Sequence, residues 1–204
     1  ELIPIQHHIA TNGKIKLLLG ELENVCKGIY ILQEFSPNVN AQLVSFGELL
    51  SSNVISQALH YSGVNNSWID SRELITTLDN NQPLKVDFEA TNKAIIEKLK
   101  NIEMAILPGF IARTQSGYAS TLGRGGSDYT SAIIAGALNA DCLEIWSDVE
   151  GMYTSDPRLV EGAYSIDELS YEEAMELSYF GAKVLYTPTI HPLLEKNISL
   201  LLKN

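Results

Sequence analysis

Leu122-Gly123-Arg124-Gly125-Gly126-Ser127-Asp128-Tyr129-Thr130 packs three glycines and one fixed cation into nine residues. The run behind it, Ser131-Ala132-Ile133-Ile134-Ala135-Gly136-Ala137-Leu138, is apolar on every helical face and predicts a helix buried between layers. Ser127 and Asp128 are N-cap residue types and are expected to start that helix. Glycine allows sharp turns, and it lets backbone N–H groups approach a ligand that a Cβ would hold away. A buried helix start adds unpaired N–H groups and partial positive charge, which suit phosphate or carboxylate. Arg124 contributes a planar fork of donors for the same anions. The stretch therefore reads as an anion site, set against a glycine-rich turn with a capped helix and a surface arginine. It lacks the third glycine of a dinucleotide fingerprint and the Gly-Lys-Ser/Thr of a Walker loop.

Upstream, Leu18, Leu22, Val25, Ile29 and Leu32 recur at helical spacing and predict a helix over 14–35, broken by Ser36-Pro37-Asn38. Leu43-Val44-Ser45-Phe46-Gly47 reads as a short strand and tight turn. Glu48 then opens a helix to about Tyr61, ended by Ser62-Gly63. Strands are expected over 67–70, 84–87 and 104–107, the last of them buried, with a helix between Asp87 and Asn101. Downstream, 142–148 reads as a further strand. A helix carrying Leu169, Ala174, Met175 and Leu177 comes next, with Gly181 as its C-terminal cap. Such alternation predicts an α/β fold with a mostly parallel sheet covered on both faces. Ligands in such folds gather outside the carboxyl ends of strands, where 45–48, 108–128 and 147–158 fall.

Composition narrows the chemistry. With 204 residues, 45% hydrophobic and 19% charged, the chain suits one ordinary α/β domain. A net charge of −11 opposes non-specific nucleic-acid binding, which needs a cationic surface. Cys26 and Cys142 lie far apart in apolar settings and are expected to be buried free thiols of a cytoplasmic protein. No apolar run reaches the ~20 residues of a membrane helix. The histidines show no zinc-ligand spacing, and no Gly-x-Ser-x-Gly elbow supports a serine hydrolase.

Three further stretches can carry chemistry. Ser147 and Asp148 end a strand, and a polar loop with Tyr153 and Arg158 comes after them. Asp148 can bond a ribose or base, Tyr153 can pack on a base, and Arg158 can neutralise phosphate. Lys183 stands among Phe180, Ala182, Val184 and Leu185, where a lone ammonium is costly without anionic company. The plainer alternative is a snorkelling stem. Ser45 and Glu48 bring a hydroxyl and a carboxylate, the latter suited to a substrate ammonium or simply to a helix start.

Together Ser45-Phe46-Gly47-Glu48, Gly109-Phe110-Ile111, the 122–130 stretch, 146–158 and Phe180-Gly181-Ala182-Lys183-Val184-Leu185 closely resemble the aspartokinases of the amino-acid kinase superfamily. The resemblance implies a three-layer αβα sandwich around a mostly parallel central sheet. It implies phosphoryl transfer from ATP, with Mg2+, to the side-chain carboxylate of L-aspartate. The product, 4-phospho-L-aspartate, opens the route to lysine, threonine and methionine. By position, Glu48 is expected to bind the substrate ammonium and Arg124 its α-carboxylate, with Ser45 and Ser127 on the substrate side. Asp128 and Lys183 are the expected catalytic pair, Asp128 orienting lysines. Ser147, Asp148, Tyr153, Arg158 and Lys183 are expected on the nucleotide.

The resemblance also marks departures. Aspartokinases begin with a Lys-Phe-Gly-Gly loop and end in paired regulatory ACT domains, and neither is found in 1–204. Tyr186-Thr187-Pro188 replaces the more frequent His-Pro. The chain is therefore expected to be one partial, N-terminally truncated amino-acid kinase domain, inactive by itself. Its 14–62 region is placed on the substrate side and 104–204 on the nucleotide side. A homo-oligomer is expected for the full-length protein. Alternatives are a sibling kinase for another acid, such as N-acetylglutamate, and a non-catalytic nucleotide- or amino-acid-binding subunit.

Overall fold

Ser36 and Pro37 start a helix rather than only breaking one. In the computed structural model, which describes residues 8–79, 85–148, 151–155, 159–180 and 186–204, Ser36 Oγ accepts the Val39 N–H at 3.4 Å. Pro37 takes the first helical position, where a missing N–H is harmless. Helix α2 (Pro37–Tyr61) therefore runs unbroken after α1 (His8–Leu32). The strand expected over 43–47 is absent, and Glu48 lies inside the helix instead of opening it. Buried Ala41, Ser45, Phe46, Leu49, Ser52, Asn53 and Ser56 explain this, because their spacing is helical. Four are small and polar, and three of them return a bond to a carbonyl four residues back: Ser45 to Ala41 at 2.6 Å, Ser52 to Glu48 at 2.7 Å, Asn53 to Leu49 at 2.8 Å, while Ser56 donates to Asn66 Oδ1. These polar side chains are thereby buried with their hydrogen bonds made.

The chain divides into two compact units, Glu1–Leu122 and Gly123–Asn204. In the first, Leu18 of α1, Phe46 and Leu49 of α2, and Ile111 form the core, with Trp68 and Phe110 packed against it. The Lys14 ammonium lies 3.9 Å from the centre of the Trp68 ring. Strand β1 (Ser67–Trp68) pairs in parallel with β3 (Ala105–Ile106). β3 is half-buried rather than fully covered, and Met104 before it is exposed. Strand β2 (Thr76–Thr77) pairs in parallel with β4 (Ile111–Thr114). β4 turns back through Gly117, at φ +85°, into antiparallel β5 (Ala119–Thr121), a hairpin the sequence pattern did not reveal. The strand expected over 84–87 is reduced to a bridge between Val86 and Thr77; Leu84 lies outside the described residues. Asp87 instead caps α3 (Phe88–Leu99), accepting the Ala90 N–H at 3.1 Å. That acceptor role ends any strand at this point.

The second unit opens with α4 (Gly126–Leu138). β6 (Cys142–Trp146) and β7 (Ser199–Lys203) then pair in parallel over their full length, from Cys142↔Ser199 to Trp146↔Lys203. Helix α5 (Tyr171–Phe180), a 3-10 turn at Thr187–Thr189 and α6 (Ile190–Leu194) complete it. Ala132 and Ala135 of α4 share a core with Leu143, Leu193 and Ile198. A second cluster joins Met152, Ala174 and Ile190. Gly181, the expected cap of α5, lies outside the described residues. Both thiols are free, but Cys26 and Cys142 are exposed, which corrects the burial expected for them. Cys142 begins β6 at an exposed position, and Cys26 lies on a solvent-facing part of α1.

Candidate functional site

Glycine supplies what the 122–130 stretch needs. Gly123 and Gly125 both adopt left-handed conformations, φ +71° and +67°, which a side chain would strain. The Gly126 N–H donates to Gly123 O at 3.0 Å and closes a turn around Arg124. Gly125 is the N-cap of α4 and provides no side-chain acceptor. Ser127 and Asp128 therefore sit in the first turn, one and two residues past the helix start, not at the cap. The cap position is taken by the residue whose left-handed backbone makes the turn. Among the described residues the helix start is thus left without a side-chain cap, an arrangement that favours an anion.

Around this turn Arg124 and Ser127 are exposed. Arg124 makes no ion pair among the described residues. Asp128 is half-buried, and that burial raises its carboxyl above the ordinary range. The Ser131 hydroxyl donates to the Asp128 backbone carbonyl at 2.8 Å, so the carboxylate itself is not engaged by that bond.

On the other unit, Ser45 and Glu48 lie three residues apart on α2. Ser45 is fully buried with its hydroxyl committed to Ala41, whereas Glu48 is half-exposed. In the same unit, Phe110 takes φ +71° between Gly109 and β4, and its carbonyl accepts the Leu122 N–H at 2.8 Å. A phenylalanine there is strained, and such strain gathers at functional corners.

Ser147 directly follows β6, its N–H donating to Lys203 O at 2.8 Å, and Asp148 beyond it is exposed. Tyr153 is half-buried and bridges to Ser165. Arg158 and Lys183 lie outside the described residues. The structure thus groups Arg124, Ser127 and Asp128 on one turn, Ser45 with Glu48 on one helix, and Ser147 with Asp148 at one strand end. A cavity of about 380 Å³ in the first unit, lined by Arg72, Arg113 and Tyr118 among others, contains none of these residues.

Sequence reading missed Tyr129 and Tyr186. Their rings meet edge to face at 6.2 Å, and Tyr186 lies against Gly125. The paired glycines signalled that something approaches closely; only the tertiary structure supplies what.

A match to the family described as "Amino acid kinase family" spans residues 5–204. The chain belongs to that family. Within it, the bifunctional aspartokinase/homoserine dehydrogenase of Buchnera aphidicola is 40% identical over 192 residues, covering 93% of this chain and 24% of that protein. The lysine-sensitive aspartokinase 3 of Escherichia coli is 39% identical over 186 residues, 87% of this chain and 41% of its own length. The crystal structure of E. coli aspartokinase III in complex with aspartate and ADP superimposes with a TM-score of 0.85 at 35% identity, covering 94% of this chain and 43% of the other. The chain therefore spans between about a quarter and two fifths of these relatives. The α/β amino-acid kinase fold expected from the sequence is the fold of this chain, and its similarity lies with aspartokinase catalytic regions.

Proposed function

We propose that this chain carries the phosphoryl-transfer site of an aspartate kinase, moving the γ-phosphoryl of MgATP to the side-chain carboxylate of L-aspartate. The observation that carries the reading is the uncapped start of α4, where left-handed Gly123 and Gly125 present Arg124 beside a half-buried Asp128. Similarity to an aspartokinase that binds aspartate and ADP supports the choice of substrates.

The reaction needs little covalent help from protein. A carboxylate oxygen attacks the γ-phosphorus, the bond to the β,γ-bridging oxygen breaks, and ADP departs. The nucleophile is already ionised at neutral pH, so no general base is required. Two anions must be brought together, and catalysis consists of positioning plus positive charge. Arg124 holds the α-carboxylate by its planar fork, and Glu48 takes the α-ammonium. Ser127 stands by the substrate, and the buried Ser45 hydroxyl keeps this turn of α2 in register. Lys183 and Arg158 supply charge at the phosphates, Asp128 orients lysine, and Ser147, Asp148 and Tyr153 seat the nucleoside. Mg2+ would arrive with ATP and would supply positive charge against the phosphates. The product, 4-phospho-L-aspartate, feeds synthesis of lysine, threonine and methionine.

The test is hydroxylamine trapping of aspartyl phosphate by the full-length protein with MgATP. Trapped product dependent on L-aspartate is expected. Turnover of N-acetylglutamate without turnover of aspartate would overturn the substrate assignment.

A further inference from the structure

Gly125 and Tyr186 lie 61 residues apart in sequence and touch. A Cβ built on Gly125 would meet Tyr186 Cβ at 2.4 Å and Cγ at 2.8 Å, closer than a real side chain tolerates, and Cδ1 at a tight 3.1 Å. Gly125 is at the same time the left-handed residue that turns the chain from Arg124 into α4. The Tyr186 ring also meets the Tyr129 ring edge to face, with planes at 77°. Tyr129 belongs to the first turns of α4, and its N–H donates to Gly125 O at 3.0 Å. Tyr186 therefore bears on both ends of that one hydrogen bond.

Tyr186 is itself held from its C-terminal side. It precedes the 3-10 turn, with Thr189 N–H donating back to Tyr186 O at 2.8 Å, and this leads directly into α6. There Pro192 presses on Gly136, where an added Cβ would lie 2.9 Å from the Pro192 carbonyl oxygen. The 186–192 segment thus lies along α4 in the same direction, seated on a glycine at the helix start and on another eleven residues later. Two glycine contacts give the segment one register on α4.

We propose that Tyr186 is a positioning residue for the Arg124 turn, holding Gly125 in its left-handed state so that Arg124 and the first amides of α4 stay aimed at the substrate carboxylate. This rests on the aspartate-kinase reading for its substrate but not for its mechanical content. Tyr186 touches glycine backbone through its Cβ, Cγ and near ring edge, so the hydroxyl is dispensable. Leucine keeps the first atoms of that contact and loses the ring that meets Tyr129. Alanine loses nearly all of it.

Two measurements on the full-length protein separate the possibilities. In steady-state kinetics, Tyr186→Ala is expected to raise the aspartate KM at least tenfold while the ATP KM stays within twofold, with Tyr186→Leu between and Tyr186→Phe close to wild type. In limited trypsin digestion, cleavage after Arg124 is expected to quicken in the same order, Ala over Leu over Phe, with the other sites unchanged. The digestion needs no substrate and stands even if the kinase reaction proves to use a different acid. An unchanged aspartate KM, or both KM values rising together, would overturn the specific positioning role. Unchanged cleavage after Arg124 in Tyr186→Ala would overturn the clamp itself. If Tyr186→Ala does not fold, the Leu and Phe pair decides by the same two readouts.

Discussion

Ser56 and Asn66 bond to each other twice. The Ser56 hydroxyl donates to Asn66 Oδ1 at 2.7 Å, and Asn66 Nδ2 donates back to the Ser56 carbonyl at 3.2 Å. Both are buried, and Nδ2 also reaches Val64 O at 3.1 Å, so the pair pins the end of α2 to the chain entering β1. Asn66→Ala should lower stability by about 1–3 kcal/mol, because buried groups lose partners they cannot replace with water. Urea unfolding would measure this, and a change well below that range would show that the site admits water.

Gly136→Ala sets two effects against each other. Alanine is the better helix former by about 1 kcal/mol. The added methyl must displace the Pro192 carbonyl, which lies 2.9 Å from where it would stand, and overpacking typically costs ~1–3 kcal/mol. The neighbour is backbone and yields poorly, so net destabilisation is expected in a denaturant titration. A more stable variant would mean that α6 shifts freely on α4.

Arg124→Lys keeps the charge and loses the bidentate fork. The aspartate KM is expected to rise much more than the ATP KM. Unchanged aspartate kinetics would remove Arg124 from the substrate.

Asp128 gives a pH dependence of definite sign. Burial raises its carboxyl in the folded state, so the native protein holds this proton more tightly than the unfolded chain. Stability from this group therefore falls as pH rises from the unfolded-state value through the folded-state value, and the full cost remains above both. Asp128→Asn should be at least as stable as wild type at neutral pH, with the difference shrinking in acid, while kinase activity collapses. Thermal melts at neutral and acidic pH would check it. Clear destabilisation at neutral pH would mean that a cation compensates the carboxylate.

Exposure of Cys26 and Cys142 predicts that both thiols react with a disulfide reagent in the native protein, without denaturant. One thiol or none would show that this surface is covered.

The α/β alternation and the glycine turn were legible in the sequence because these are local patterns. The Lys14-to-Leu32 periodicity, the Asp87–Asn101 helix and β6 all rest on neighbours in the chain. What stayed hidden was tertiary. Leu43-Val44-Ser45-Phe46-Gly47 resembles a strand until Ser45, Ser52 and Asn53 are seen returning their polar atoms to α2 itself. The β4–β5 hairpin lacks a two-residue Asn-Gly signal and is set by pairing with β2. Ser127 and Asp128 have cap chemistry, yet the left-handed Gly125 takes the cap. Tyr186 carries no local mark of its contact with Gly125, since nothing in a sequence links positions so far apart.

Each compact unit contains a single tryptophan, and their surroundings differ. Trp68 is partly buried, its indole N–H donating to Ser52 Oγ at 2.9 Å beneath the Lys14 ammonium, whereas Trp146 is 67% exposed beside Glu144 and Lys203. The two should emit at separable wavelengths, Trp146 nearer the red. Trp68→Phe and Trp146→Phe variants therefore turn intrinsic fluorescence into an optical readout of one half at a time. Whether the halves melt together or in sequence becomes a matter of comparing two emission curves.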